Sequence, residues 1–97
     1  MPRNASGEMT VRVFITGTVQ GVSFRATMRE RAARHRVNGW VRNRDDGSVE
    51  AVLQGDLEGI TRLLGWARVG PPVAKVSSVV QERLDTYPRQ TGFRIVP

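Results

Sequence analysis

At 97 residues the chain is long enough for one domain with a single two-layer core and too short for a catalytic domain with a separate lid. Its 39% hydrophobic and 25% charged residues fit a globular fold, and with no apolar run able to cross a bilayer and no signal-peptide core the cytoplasm is the expected compartment. The absence of cysteine excludes disulfides, thiolate metal sites and a thiophosphate intermediate, while a net charge of +6 favours anionic partners without choosing between small phosphates and nucleic acid.

Residues 1–8 are polar without periodicity and read as a mobile tail, leaving 9–97 as the domain. Val11, Val13 and Ile15 alternate with Arg12, Phe14 and Thr16 at the period of a strand. The stretch Gly17-Thr18-Val19-Gln20-Gly21-Val22-Ser23-Phe24-Arg25 then leaves that strand and enters a segment whose apolar residues, Phe24, Met28 and Ala32, recur at helical spacing. A loop with two glycines there can turn the N–H groups of Thr18, Val19, Gln20, Gly21, Val22 and Ser23 toward a common point. The first turn of the helix adds free N–H donors and the positive end of the helix dipole. Arg25 falls inside that turn, and its planar guanidinium can hold two phosphate oxygens at once. The junction therefore reads as a phosphate site of backbone amides and one arginine, with a plain strand-to-helix turn as the alternative. It is neither a nucleotide P-loop, which ends in Lys-Ser/Thr, nor a three-glycine dinucleotide fingerprint.

Residues 37–43 and 48–53 flank Asp46-Gly47 and predict an antiparallel hairpin. Within it lies a second motif, Gly39-Trp40-Val41-Arg42-Asn43 followed by Asp45-Asp46-Gly47-Ser48-Val49-Glu50. Together the two stretches resemble the acylphosphatase family, whose hallmark patterns are G-x-V-Q-G-V-x-[FY]-R and G-W-V-x-N-x-x-D-G-x-V-E. Every fixed position of both is matched, and the resemblance continues through residues 57–66, Gly70-Pro71-Pro72 and Phe93-Arg94-Ile95. One departure is local: His35-Arg36-Val37 stands where family members commonly carry Leu-Gly-Leu or Leu-Gly-Val. Arg36 must then adopt a left-handed conformation at a cost, or the first helix must end differently.

After Gly55, the spacing of Leu57, Ile60, Leu64 and Ala67 predicts a second helix, with Asp56 as N-cap and Gly70-Pro71-Pro72 as its stop. Gly59 and Gly65 inside it each cost about 1 kcal/mol of helix propensity, so packing must hold it. Residues 76–84 predict a fourth strand and 93–96 a short final one. The order gives an α+β, ferredoxin-like βαββαβ sandwich: an antiparallel sheet with two helices on one face and a short extra C-terminal strand.

The resemblance implies hydrolysis of small-molecule acyl phosphates to carboxylate and inorganic phosphate, without cofactor. The residues suit that reaction. A carboxylate leaves without needing a proton, and charge on the equatorial phosphoryl oxygens can be stabilised by fixed donors. By resemblance Arg25 binds the phosphate and Asn43 orients the attacking water; read alone, Asn43 is a turn residue that bonds its own backbone. Asp45 and Asp46 serve the turn, and no metal is assigned. His35 lies too far along the first helix to act at its start, Trp40 reads as core or rim packing, and Arg29, Arg31, Arg34 and Arg36 form a solvated face that steers anions. A monomer is expected, with inorganic phosphate or sulfate as inhibitory anions and no membrane partner. Two rivals remain. A basic nucleic-acid-binding module of this fold is disfavoured because the RNA-recognition aromatic pattern is missing. A non-catalytic acyl-phosphate-binding module, like the acylphosphatase-like domains inside larger maturation proteins, is disfavoured by the presence of both Arg25 and Asn43. With its end at Pro97 the chain is expected to stand alone.

Overall fold

A computed structural model describes residues 8–97, so all but the last residue of the expected tail lies outside the described residues, and Glu8 already belongs to the first strand. The elements are β1 (Glu8–Thr18), α1 (Phe24–Arg34), β2 (Asn38–Asn43), β3 (Val49–Asp56), α2 (Leu57–Ala67), β4 (Lys75–Leu84) and β5 (Phe93–Ile95). Alternation in β1 sends Val11, Val13 and Ile15 to one face, where they join Val41, Val49, Ala51 and Leu53 from the neighbouring strands. Phe24, Met28 and Ala32 of α1 and Ile60, Leu63, Leu64 and Ala67 of α2 close over the same face and complete one core.

The strands lie in the order β4-β1-β3-β2-β5. The first four are antiparallel, but β5 runs parallel to β2, so the sheet is mixed rather than wholly antiparallel as expected. The register explains why. Leu84 at the end of β4 pairs with Thr10, Thr10 with Gln54, and Gln54 with Asn38, the first residue of β2. The chain thus leaves β4 at the end of the sheet where β2 begins. It crosses the sheet at that end and starts β5 there, which sets β5 in the direction of β2.

Residues 85–92 make that crossing over the face without helices. Gln54 holds them: its Nε2 donates to Pro88 O (3.4 Å) and to Thr10 Oγ1 (3.0 Å), while Gln90 N–H donates to its Oε1 (2.7 Å). Trp40 Nε1 donates to Tyr87 Oη at 3.0 Å. Further along the same face, Glu50 is 6% exposed and is held by Arg42 Nε at 2.8 Å, with Arg12 Nε at 3.3 Å outside hydrogen-bond geometry. Central strand β3 is therefore covered on both sides, and Val52 is fully buried although it faces away from the helices.

The end of α1 resolves the departure at Arg36. Arg36 takes φ 57°, its N–H donates to Ala33 O (3.3 Å), and Val37 N–H donates to Ala32 O (2.9 Å). This is a Schellman motif with arginine at the position glycine usually fills, at a steric cost of about 1–2 kcal/mol. In α2, Leu57 is 61% exposed instead of on the core face, because it opens the helix; Leu63 is buried in the inward row. Asp56 occupies the N-cap position without a side-chain cap bond. Gly59 has a packing role: a Cβ there would lie 2.5 Å from His35 O, so the end of α1 sits directly against this turn of α2. Phe24 and Trp66 join the two helices further along, with ring centroids 5.0 Å apart.

Candidate active site

Because β1 and β2 both pair antiparallel with β3, they run in the same direction, and their C-terminal ends reach the same edge of the sheet. Ile15 and Asn43 both pair with Val49, so the loop after β1 and the last residue of β2 flank the start of β3. Between them lies a cleft of about 370 Å³, walled by Val19, Gly21, Ser23, Phe24, Arg25 and Ala26 on one side and by Asn43 and Ile95 on the other.

The loop has the backbone of an anion nest. Gly21 has φ 74° and Ser23 φ 66°, two left-handed residues separated by Val22, which is not. Alternation of this kind turns successive N–H groups toward one side. Among the described residues, no hydrogen bond takes the N–H of any of residues 19–23 to a protein acceptor. Those of Phe24, Arg25 and Ala26 are the free donors of the first helical turn. Ser23 O anchors the turn by accepting from Thr27 N (3.1 Å) and Thr27 Oγ1 (2.8 Å). Val19 is 1% exposed and roots the loop in the core.

Arg25 is half-buried at the start of α1 and enters none of the ion pairs among the described residues. Its charge is therefore available to a ligand. Asn43, on the helix side of β2, presents an Oδ1 that is enclosed yet accepts no hydrogen bond from the described residues. A buried acceptor without a donor costs about 1–3 kcal/mol, so this amide calls for a donor from outside the chain.

Not every residue of the predicted cradle faces the cleft with its side chain. Thr18, Gln20 and Val22 are absent from its walls. Val22 packs against the core, and Gln20 turns toward the β2–β3 hairpin, where its Nε2 donates to Arg44 O (2.8 Å) and Ser48 O (3.0 Å). Sequence reading offered Gln20 for its backbone amide and missed this tether between the loop and the strand end that carries Asn43. Ile95 and Ala26 were also missed as walls; only the matched Phe93-Arg94-Ile95 segment hinted at the first.

The hairpin itself is pinned by Asp46, whose Oδ1 accepts from Ser48 Oγ (2.6 Å) and Ser48 N (2.9 Å). The Ser48 hydroxyl first, and then the Ser48 amide, hold the Asp46 carboxyl below its ordinary pKa. Asp46 thus serves the turn, as expected, and among the described residues no group of three or more His, Cys, Asp or Glu side chains could hold a metal ion. No helix among them is long and apolar enough to cross a membrane.

Comparison with known proteins places the chain in a family. The family model described as Acylphosphatase matches residues 11–95. The chain is 56% identical over 84 residues to an acylphosphatase of Thiobacillus denitrificans, covering 87% of this chain and 92% of that one. To an acylphosphatase of Pyrobaculum arsenaticum it is 51% identical over 87 residues, 88% of this chain and 90% of that one. Among solved structures, an acylphosphatase from Coxiella burnetii superposes with a TM-score of 0.91 at 35% identity, spanning 99% of this chain and all of that one. With both motifs on the walls of one cleft and the matches running almost end to end, the chain belongs to the acylphosphatase family.

Proposed function

We propose that this protein hydrolyses the carboxyl–phosphate bond of acyl phosphates, with residues 18–23 and Arg25 binding the phosphoryl group and Asn43 orienting the water. One observation carries the reading: N–H groups, an arginine and an enclosed amide oxygen that find no partner among the described residues all line, or border, the same cleft. The amides and guanidinium suit the phosphoryl oxygens, whose charge they can stabilise as the bond to the acyl oxygen lengthens. Asn43 Oδ1 accepts a hydrogen bond from the water and so aims the water oxygen's lone pair at phosphorus.

In the reaction a P–O bond forms to water and the P–O bond to the acyl oxygen breaks. The bonding pair leaves on the carboxylate. Asn43 is too weak a base to keep the water's proton, which passes to a phosphoryl oxygen, giving carboxylate and dihydrogen phosphate. No acid need protonate the leaving group, in keeping with the absence of any carboxylic acid or histidine from the cleft walls.

The nucleic-acid reading would need aromatics free on the open face of the sheet. Two aromatics are there, but the Arg44 guanidinium lies 5.1 Å from the centroid of the Phe14 ring and Trp40 is tied to Tyr87. The test is selectivity. Benzoyl phosphate should be hydrolysed, with glycerol 3-phosphate, an alkyl monoester whose alkoxide leaving group needs a proton, turned over at least about a thousandfold more slowly. A chelator should leave the rate unchanged. Comparable rates on both substrates, or loss of activity with chelator and recovery with a divalent metal, would overturn the mechanism; phosphate binding without turnover would leave a binding module.

A further inference from the structure

Serine is favoured at a helix N-cap because, on an extended backbone, its Oγ accepts from the second or third N–H of the helix. Ser23 stands at the N-cap of α1 and does not do this. Its backbone is left-handed, φ 66° and ψ 25°, and its side chain makes no cap bond. Nor does Ser23 Oγ take part in any other hydrogen bond among the described residues; only the carbonyl of Ser23 is used, by Thr27. A non-glycine residue is thus held in a strained conformation without the compensation its side chain ordinarily provides. Glycine would occupy the position without strain.

Two consequences of this geometry favour a ligand. The N–H groups of Arg25 and Ala26, which a capping serine would engage, stay free toward the cleft. Ser23 itself is exposed and lines the cleft between Gly21 and Arg25. We propose that Ser23 Oγ is a further phosphate-binding group of this enzyme, donating its proton to a phosphoryl oxygen of the bound substrate. The inference rests on the phosphate reading of the cleft. A hydroxyl donating to a charged oxygen makes one of the stronger hydrogen bonds, and a phosphoryl dianion has lone pairs beyond those that the amides and Arg25 fill.

Strain makes the test unambiguous, since removing the hydroxyl can be done in a way that stabilises the fold. Ser23→Gly and Ser23→Ala both delete Oγ, and only the first relieves the backbone. Arg36→Gly relieves the same kind of strain at the far end of α1, away from the cleft. Both Ser23 variants should lose about tenfold in kcat/KM on benzoyl phosphate and bind inorganic phosphate about tenfold more weakly by calorimetry. Ser23→Gly should do so while its Tm rises by roughly 4 °C or more, and Arg36→Gly should gain a similar Tm with unchanged kcat/KM. Wild-type kcat/KM and phosphate affinity in Ser23→Gly would overturn the assignment. If the wild type proved inactive on benzoyl phosphate, the hydrolase reading would fall instead, and the phosphate Kd, which needs no turnover, would still decide the role of Oγ.

Discussion

Arg25 and Asn43 share a cleft but differ in what they can lend a reaction. On the proposed mechanism the arginine touches the phosphoryl group from binding through bond cleavage, so its removal weakens the binding of both substrate and transition state. The amide, on the same proposal, acts through a water that bonds to phosphorus only as the reaction proceeds. Arg25→Ala should therefore raise KM and lower kcat, and Arg25→Lys should remain badly impaired because a point charge cannot replace the planar fork. Asn43→Ala should lower kcat by roughly a hundredfold or more with KM little changed. It should also melt no lower than the wild type, because Asn43 Oδ1 is a buried acceptor that no donor among the described residues satisfies. Steady-state kinetics on benzoyl phosphate and thermal melts check the set. A destabilised but active Asn43→Ala would return Asn43 to the turn role that its position before Arg44-Asp45-Asp46-Gly47 first suggests.

At the level of elements, the site depends on two strand ends keeping their spacing, and the side chain that spans them is Gln20. Its amide bridges the carbonyls that close the β2–β3 hairpin. Those carbonyls also accept from Gly47 N and Arg44 N, so Gln20→Ala leaves each with one partner and should cost only about 1–2 kcal/mol, a fall in Tm of roughly 5–15 °C. The loss in kcat/KM should be larger than that of a surface substitution of equal stability cost, since the loop is then free to shift relative to Asn43. Equal activity at equal destabilisation would show the tether to be structural only. This contact marks the boundary of what the sequence makes legible. The cradle and the Phe24, Met28 and Ala32 row follow from local period and turn chemistry, and Val11, Val13 and Ile15 from alternation. Gln20 and the hairpin carbonyls are more than twenty residues apart, and no local signal announces which way a glutamine will reach. Helical spacing likewise sets Leu57 in a row with Ile60, Leu64 and Ala67, but it does not tell that the helix opens at Leu57 and leaves it exposed.

Across the whole molecule, the sheet is locked at one end and open at the other. The crossing segment, fixed by Gln54 and Tyr87, closes the end where β2 begins, and the cleft occupies the opposite end, where β1 and β2 finish. The fold class was readable from the order of elements, but the parallel pairing of β5 was not, because it depends on the path a loop takes over the sheet. The free N–H groups of 19–23 lie at the unlocked end, on a loop fixed by buried Val19 and by the Gln20 side chain. An anion bound there must accordingly favour the native state. Inorganic phosphate at ten times its Kd should add about 1.4 kcal/mol, raising Tm by roughly 5–10 °C. Because salts also stabilise proteins by exclusion, the decisive measurement is the phosphate-induced rise in Tm of the wild type beside that of Arg25→Ala at equal phosphate and ionic strength. A cleft built from these amides and this arginine predicts a saturable rise in the wild type that is largely lost in the variant; an equal rise in both would place the anion elsewhere.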